Sequence, residues 1–225
     1  MNTILLLLLL SIGFYIIYRV YHKVKQIYLG RGINIDKINS QLRNSIPACN
    51  IAKPLIDSSF TISFWIYIKD FYYNSDCKCW KHIIHKGSFL EQNEILNYTN
   101  WNTLVSHIPE QSLGIWMHPN VNNLRVAVNV DSQVLPNIEY CDITNIPSKK
   151  YVHITIRVND NNIEVYRDGK LTTTKLLSNK LVLNNKDMYF NYQNTYNGNL
   201  YNFYYFPNKI TSKQIQSLYK KKPKV

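Results

Sequence analysis

Hydrophobic positions fall into two regimes along this chain. The first is a near-continuous apolar run. Ile4 to Leu10 is one Ile followed by six Leu, and Ile12, Phe14, Tyr15, Ile16, Ile17 and Tyr18 extend it to Arg19. Counted from Met1, a helix over this run measures about 27 Å at 1.5 Å per residue, the short end of what spans a bilayer. Tyr15, Tyr18 and Tyr21 stand where an interfacial aromatic belt belongs, and Arg19, His22, Lys23 and Lys25 follow at once. A cleaved signal peptide is the competing reading, with Ser11 and Gly13 as the small pair before the cut. No Lys or Arg precedes the run, however, and apolar residues continue beyond Gly13. The pattern therefore predicts a transmembrane anchor over 1–20, with the lipid bilayer as partner and a single-pass membrane location. The flanking cations favour the cytoplasmic side for the rest of the chain without fixing it.

The second regime begins near residue 55 and has period two. Phe60, Ile62, Phe64, Ile66 and Ile68 alternate with Thr61, Ser63, Trp65 and Tyr67, as in a strand with one buried face. Short strands are also predicted over 82–85, 113–117, 124–130, 151–158, 163–166, 188–192 and 200–206. Asn-rich turns at 119–123 and 159–162 join two pairs of these as hairpins, and Asp168-Gly169 makes a tight turn. Evenly spaced strands of this kind argue for an antiparallel sandwich. One helix is predicted near the end. Thr211 or Ser212 caps it, Ile215 and Leu218 share a face, Lys220 to Lys222 suit its C-terminus and Pro223 stops it. Between anchor and strands, Gly30-Arg31-Gly32 and Pro47 interrupt a partly helical spacing, so 21–50 reads as a juxtamembrane stalk, 51–219 as the folded domain and 220–225 as a basic tail.

Composition narrows the functional classes. The chain has 225 residues, enough for a core that needs no staples, and at 45% hydrophobic it is not a disordered polymer. Its net charge of +12 sits at the ends. Residues 1–50 carry six basic and one acidic side chain, and residues 213–225 carry five Lys and no acid. The middle holds 15 basic against 13 acidic side chains. A nucleic-acid footprint needs a basic stripe on the folded domain, so nucleic acid is excluded as a partner. Basic ends beside an apolar run suit an anionic membrane surface. Enrichment in Asn, Ile, Lys and Tyr reads as coding bias from an AT-rich genome.

Four segments in order carry a family resemblance. FTISFWIYI at 60–68, KHIIHKG at 81–87, YVHITIRVNDNNIEVYRDGKL at 151–171 and GNLYNFYYFPNKITSKQIQSLY at 198–219 resemble the concanavalin A-like lectin/glucanase superfamily in its laminin-G-like branch. The resemblance implies an all-β, two-sheet antiparallel jelly-roll sandwich with one short C-terminal helix, behind the N-terminal transmembrane helix. It places the two ends of the domain close together. It also implies a binding module for a glycan or a protein surface. Family glycosidases carry Glu-x-Asp-x-x-Glu on one strand, supplying the two carboxylates that glycoside hydrolysis needs. That motif is absent here, and Glu91/Glu94 and Glu139/Asp142 are isolated pairs. The domain is therefore expected to be non-enzymatic. The alternative is a structural component of a membrane assembly with no glycan site, such as the virion membrane of a large AT-rich DNA virus.

Candidate chemistry is sparse. Sugar binding needs aromatic platforms with polar partners, for which Trp80, Trp101, Trp116, His118 and Tyr140 are the candidates. Trp80 and Trp101 lie in a long insertion-like segment, 70–110. Many members of the resembled family bind calcium at the sandwich rim, and Asp131 and Asp142 are the possible ligands; no other cofactor is expected. Cys77, Cys79, His82 and His85 are zinc-ligand types, but a strand offset of three points the two His to opposite faces. Cys49, Cys77, Cys79 and Cys141 form an even set. A Cys77–Cys79 bridge fits strand geometry poorly, so cross-pairing of Cys49 and Cys141 with that pair is the expected pattern if the compartment is oxidising, and four free thiols if it is not. Asn97 heads the one sequon, Asn-Tyr-Thr, usable only outside the cytoplasm. Oligomeric state is not legible.

Overall fold

The computed structural model describes residues 11–19, 33–39, 44–54, 59–73, 78–89, 98–133, 137–191 and 196–223. In chain order the strands are β1 (Ile33–Asn39), β2 (Asn44–Ile46), β3 (Phe60–Asp70), β4 (Lys81–Gly87), β5 (Gln111–Met117), β6 (Leu124–Asn129), β7 (Ile138–Ile143), β8 (Tyr151–Asn159), β9 (Asn162–Arg167), β10 (Lys170–Leu176), β11 (Met188–Phe190) and β12 (Asn197–Phe206). Helix α1 (Trp101–His107) stands between β4 and β5, and α2 (Ser212–Lys220) follows β12.

The strands form two antiparallel six-stranded sheets. The first has the order β1-β12-β3-β8-β9-β10 and the second β2-β11-β4-β5-β6-β7. The period-two faces meet between them. Phe60, Ile62, Phe64, Ile66 and Ile68 of β3 join Ile84, Ile115, Met117, Val126, Val128, Ile154, Ile156 and Phe203 in one continuous core. This is the aligned packing of two half-apolar sheets, in which side chains of alternate residues fill the space between. The expected all-β sandwich is the observed one.

Each outer face is covered as well, by a helix. Helix α2 lies on the first sheet, packing Ile210, Ile215 and Leu218 against Tyr166. Its start is held by a capping box. Thr211 Oγ1 accepts from the Gln214 N–H, and the Gln214 side chain accepts from the Thr211 N–H at 2.7 Å. Helix α1 lies on the second sheet, with Val105 against Ala127 and Ile138, and Leu104 against Trp80 and Trp116.

Two expectations are corrected at the N-terminal side. Residues 33–39 and 44–46, read as stalk, are edge strands of the two sheets, with β1 paired to β12 and β2 to β11. Residues 11–19 are helical with exposed side chains, Phe14 at 81%. Among the described residues no helix is long and apolar enough to cross a membrane. The single-pass anchor over 1–20, and the membrane location built on it, are therefore not supported; residues 1–10 lie outside the described residues.

Candidate functional site

Strand register assembles the site. On the outer face of the second sheet one row runs His82, Trp116, Arg125, Asp142, each directly opposite the next across β4, β5, β6 and β7. The neighbouring row is His85, Gly114, Ala127, Tyr140. Gly114 and Ala127 are small, and helix α1 packs Val105 against Ala127 and sets Trp101 beside Tyr140.

Arg125 is the centre. Its Nε donates to Asp142 Oδ1 at 2.7 Å and its Nη2 to Asp142 Oδ2 at 2.8 Å, a bidentate pair. Its guanidinium carbon lies 3.7 Å from the Tyr140 ring centroid, 4.6 Å from that of Trp80 and 4.8 Å from that of Trp101. The rings touch one another too, with Trp80 at 4.9 Å from Trp101 and 4.8 Å from His118. Five residues singled out from the sequence, Trp80, Trp101, His118, Tyr140 and Asp142, thus converge on an arginine that sequence reasoning passed over. The signal that would have found Arg125 is its place as the polar outward position between Leu124 and Val126 on β6.

Trp116, by contrast, is fully buried beneath this cluster. Its Nε1 donates to Gln111 Oε1 at 2.8 Å, so it is core rather than platform. Trp80 is also buried. Tyr140, 40% exposed, presents the cluster to solvent.

A cleft of about 840 Å³ adjoins the cluster at the sandwich rim, lined by Asp70, Tyr72, His118, Asn120, Asn122 and Lys149 among others. His118 belongs to both. The rim segments are tied together. His118 N–H donates to Asn123 O at 3.0 Å, Ile146 N–H to Asn122 O at 2.8 Å and Lys149 N–H to Ile68 O at 2.6 Å. Buried Lys81 spans the turn after β3, its Nζ donating to Phe71 O at 2.6 Å and Tyr73 O at 2.5 Å. Burial pulls the Lys81 pKa down, with Asp70 opposing. Burial also lowers the His118 pKa, and the Arg125 charge adds to that while Asp142 opposes it. Tyr72, 78% exposed, supplies an aromatic surface beside it.

The remaining candidates do not gather. Asp142 is held by Arg125 on a strand rather than in a loop. Asp131 lies beyond the far end of β6, its N–H donating to Lys180 O at 2.7 Å. The two are thus at opposite ends of the sheet, which does not suit the expected calcium pair. Among the described residues no group of three or more His, Cys, Asp or Glu is placed to hold a metal. His82 and His85 are closer than strand period predicts. A register shift between His82 and Ile84 puts both on the outer face, with His85 Nδ1 and His82 Nε2 2.8 Å apart. Glu139 and Asp142 are on opposite faces of β7; Glu139 accepts from the Ser178 N–H at 2.8 Å instead. Cys49 and Cys141 are free thiols and Cys79 is disulfide-bonded, so the expected cross-pairing of Cys49 and Cys141 is not the arrangement of this fold. Burial pushes the Cys141 thiol up to about 12. Cys77, Asn97, Glu91 and Glu94 lie outside the described residues.

No family model matches the chain, and no curated protein does. Solved structures do. The chain is similar to the binding domain of botulinum neurotoxin serotype D, with a TM-score of 0.56 at 16% identity over 82% of this chain and 41% of that one. It is similar to the serotype D ligand binding domain in complex with N-acetylneuraminic acid, with a TM-score of 0.55 at 14% identity over 82% of this chain and 41% of that one. The serotype G binding domain gives 0.55 at 16% identity, over 84% and 44%. The chain spans less than half the length of these neurotoxin chains. At such identities the likeness establishes the fold alone, a two-sheet jelly-roll sandwich.

Proposed function

We propose that this chain is a non-catalytic, lectin-like binding module that takes a glycan or a protein surface in the rim cleft beside His118. The observation that carries this reading is the convergence of Trp80, Trp101, Tyr140 and His118 on the Arg125–Asp142 pair at the edge of that cleft. The cluster fixes one wall. Sugars are held by an aromatic face for their C–H groups and by side-chain amides, hydroxyls and charges for their oxygens. Tyr72 offers the first, and Asn120, Asn122, Asp70 and Lys149 the second. The similar neurotoxin structures are binding domains, one of them in complex with N-acetylneuraminic acid, which favours a binding role. The one described pair of acids close in sequence on a strand points the same way, since Glu139 and Asp142 are each engaged and face apart, unlike a glycosidase pair.

A glycan array probed with the full chain tests this, alongside Y72A and H118A. Retention of one glycan class, weakened at least about ten-fold in both variants, is the expected result for losing a stacking or hydrogen-bonding contact. Equal binding by wild type and both variants would place the site elsewhere. Turnover of any β-glucan would overturn the non-catalytic assignment.

A further inference from the structure

A second cleft, on the opposite sheet, has the makings of a ligand site that is independent of the rim cleft. It measures about 360 Å³, within the range of small-molecule pockets, and is lined by Trp65, Lys150, Tyr151, Asp168, Tyr219 and Lys222. Sheet register builds its floor. Trp65 lies opposite His153 and Tyr201, and Tyr67 opposite Tyr151. The rings form two groups, Trp65 stacked on Tyr219 at 5.7 Å, and Tyr151 tilted against Tyr67 at 4.8 Å and edge-on to Tyr201 at 5.5 Å.

Two buried polar atoms have no hydrogen-bond partner, Nε1 of Trp65, whose ring lines the cleft, and Nδ1 of His153, whose ring lies beside it beneath the cleft. Trp65 is 3% exposed and His153 1%. His153 is otherwise well held: its Nε2 meets Ser63 Oγ at 3.0 Å and its backbone N–H donates to Asp168 Oδ1 at 3.1 Å. An indole N–H has one use, as a donor, and an unpaired buried donor is rare and unfavourable. Two ammonium groups, Lys150 and Lys222, stand at the cleft against the single carboxylate of Asp168, so its field is positive. Aromatic rings, a spare donor and excess positive charge together describe a site for a ring with an apolar face and an anionic substituent.

The geometry points to an acidic monosaccharide bound between Tyr151 and Tyr219, its anionic group on Lys150 and Lys222 and a ring oxygen or hydroxyl accepting from Trp65 Nε1. The Trp65 N–H is sealed from solvent, so the bound sugar reaches it by moving the Tyr219 ring stacked over Trp65. Carboxylate and sulfate ester are the two sources of such charge on a sugar.

The test follows the Trp65 indole N–H in ¹⁵N-labelled full chain by heteronuclear NMR, with the resonance assigned through bonds. Glucuronate is the main probe, glucose 6-sulfate the second, and glucose, acetate and inorganic sulfate the controls. The expected result is a saturable downfield shift with glucuronate and none with glucose. Affinity falls about ten-fold or more in K150A/K222A, the size of a lost charge-assisted bond. W65F, which removes the donor but keeps a ring, weakens binding too; should W65F fail to fold, the surface pair K150A/K222A decides. A matching response to glucose 6-sulfate supports the site and widens its anion. The site is overturned if the resonance does not move, if glucose moves it equally, if K150A/K222A binds as tightly, or if acetate and sulfate alone do as well as the sugars. Y72A at the rim leaves this titration unchanged, so failure here and failure of the rim cleft are told apart.

Discussion

Arg125→Met is the substitution that most directly tests the cluster beside the rim cleft. The methionine keeps an unbranched apolar stem of similar length between the rings and deletes only the guanidinium fork. The Arg125 side chain is 11% exposed and that of Asp142 31%. Breaking a buried ion pair from one side costs about 3–5 kcal/mol; because Asp142 keeps part of its carboxylate in water, about 2–3 kcal/mol is the better figure. Loss of the cation from three ring faces adds about 1 kcal/mol in all, since those contacts share one group. The sum is about 3–4 kcal/mol, and at about 2–4 °C per kcal/mol for a domain of this size it lowers Tm by roughly 10 °C. Thermal denaturation followed by circular dichroism measures it. Asp142→Asn is milder, and R125M/D142N should be less destabilised than the two singles added, by at least about 1 kcal/mol, because both remove the same pair. A Tm for R125M within about 1 °C of wild type, or strict additivity in the double variant, would refute the view that this pair organises the wall.

Three further outcomes follow from particular side chains. Burial lowers the His153 pKa from 6.5 to about 4, so the unfolded chain binds the extra proton between those values. The stability is complete above about pH 6.5 and about 3 kcal/mol of it is lost as pH falls through 6.5 to 4; urea titrations across that window show it, and H153Q removes it. Gly114→Ala would place a Cβ 2.9 Å from Trp116 Nε1 and closer still to Gln111 Oε1. That breaks their bond and costs about 1–3 kcal/mol in chemical denaturation; an unchanged midpoint would show the bond to be dispensable. Iodoacetamide on the native chain should alkylate exposed Cys49 readily and leave buried Cys141 until unfolding, as read by peptide mass mapping.

Much of the scaffold could be read locally. The alternation over 60–68 set β3 and its inward face, because side-chain direction in a strand depends only on parity. Asn159 to Asn162 and Asp168-Gly169 marked real turns, and Asp168 and Gly169 both take positive φ. The C-terminal helix was visible down to its buried Ile215 and Leu218, and of the two cap candidates, Thr211 and Ser212, the structure uses Thr211. Shorter elements escaped. Helix α1 follows an Asn cap, Asn100, whose side chain accepts from Asn102 N–H at 2.8 Å, but its seven residues are too few for a periodic signal. β1 alternates only over Ile33 to Asp36 before Lys37 and Ile38 break the period, and β2 has three residues, so both are fixed mainly by the strands they add to. The apolar run before Arg19 spoke for an anchor by its length, its tyrosines and its basic flank, and no described helix bears it out.

The sequence by itself determined which way strand side chains face, where the chain reverses and how its last helix begins, since each depends on neighbours within a few bonds. Tertiary structure alone decided the rest. Asp142 meets Arg125 because β6 and β7 pair in one register out of many, chosen by core packing. Trp116 is core because it stands on the interior strand β5 against Leu104 of helix α1, and Tyr140 is surface because β7 is the edge of the sheet. His82 and His85 touch because the ladder shifts by one residue between them. Register, coverage and bulges are set by contacts far apart in sequence, and it is these that turn scattered aromatic and charged residues into a site.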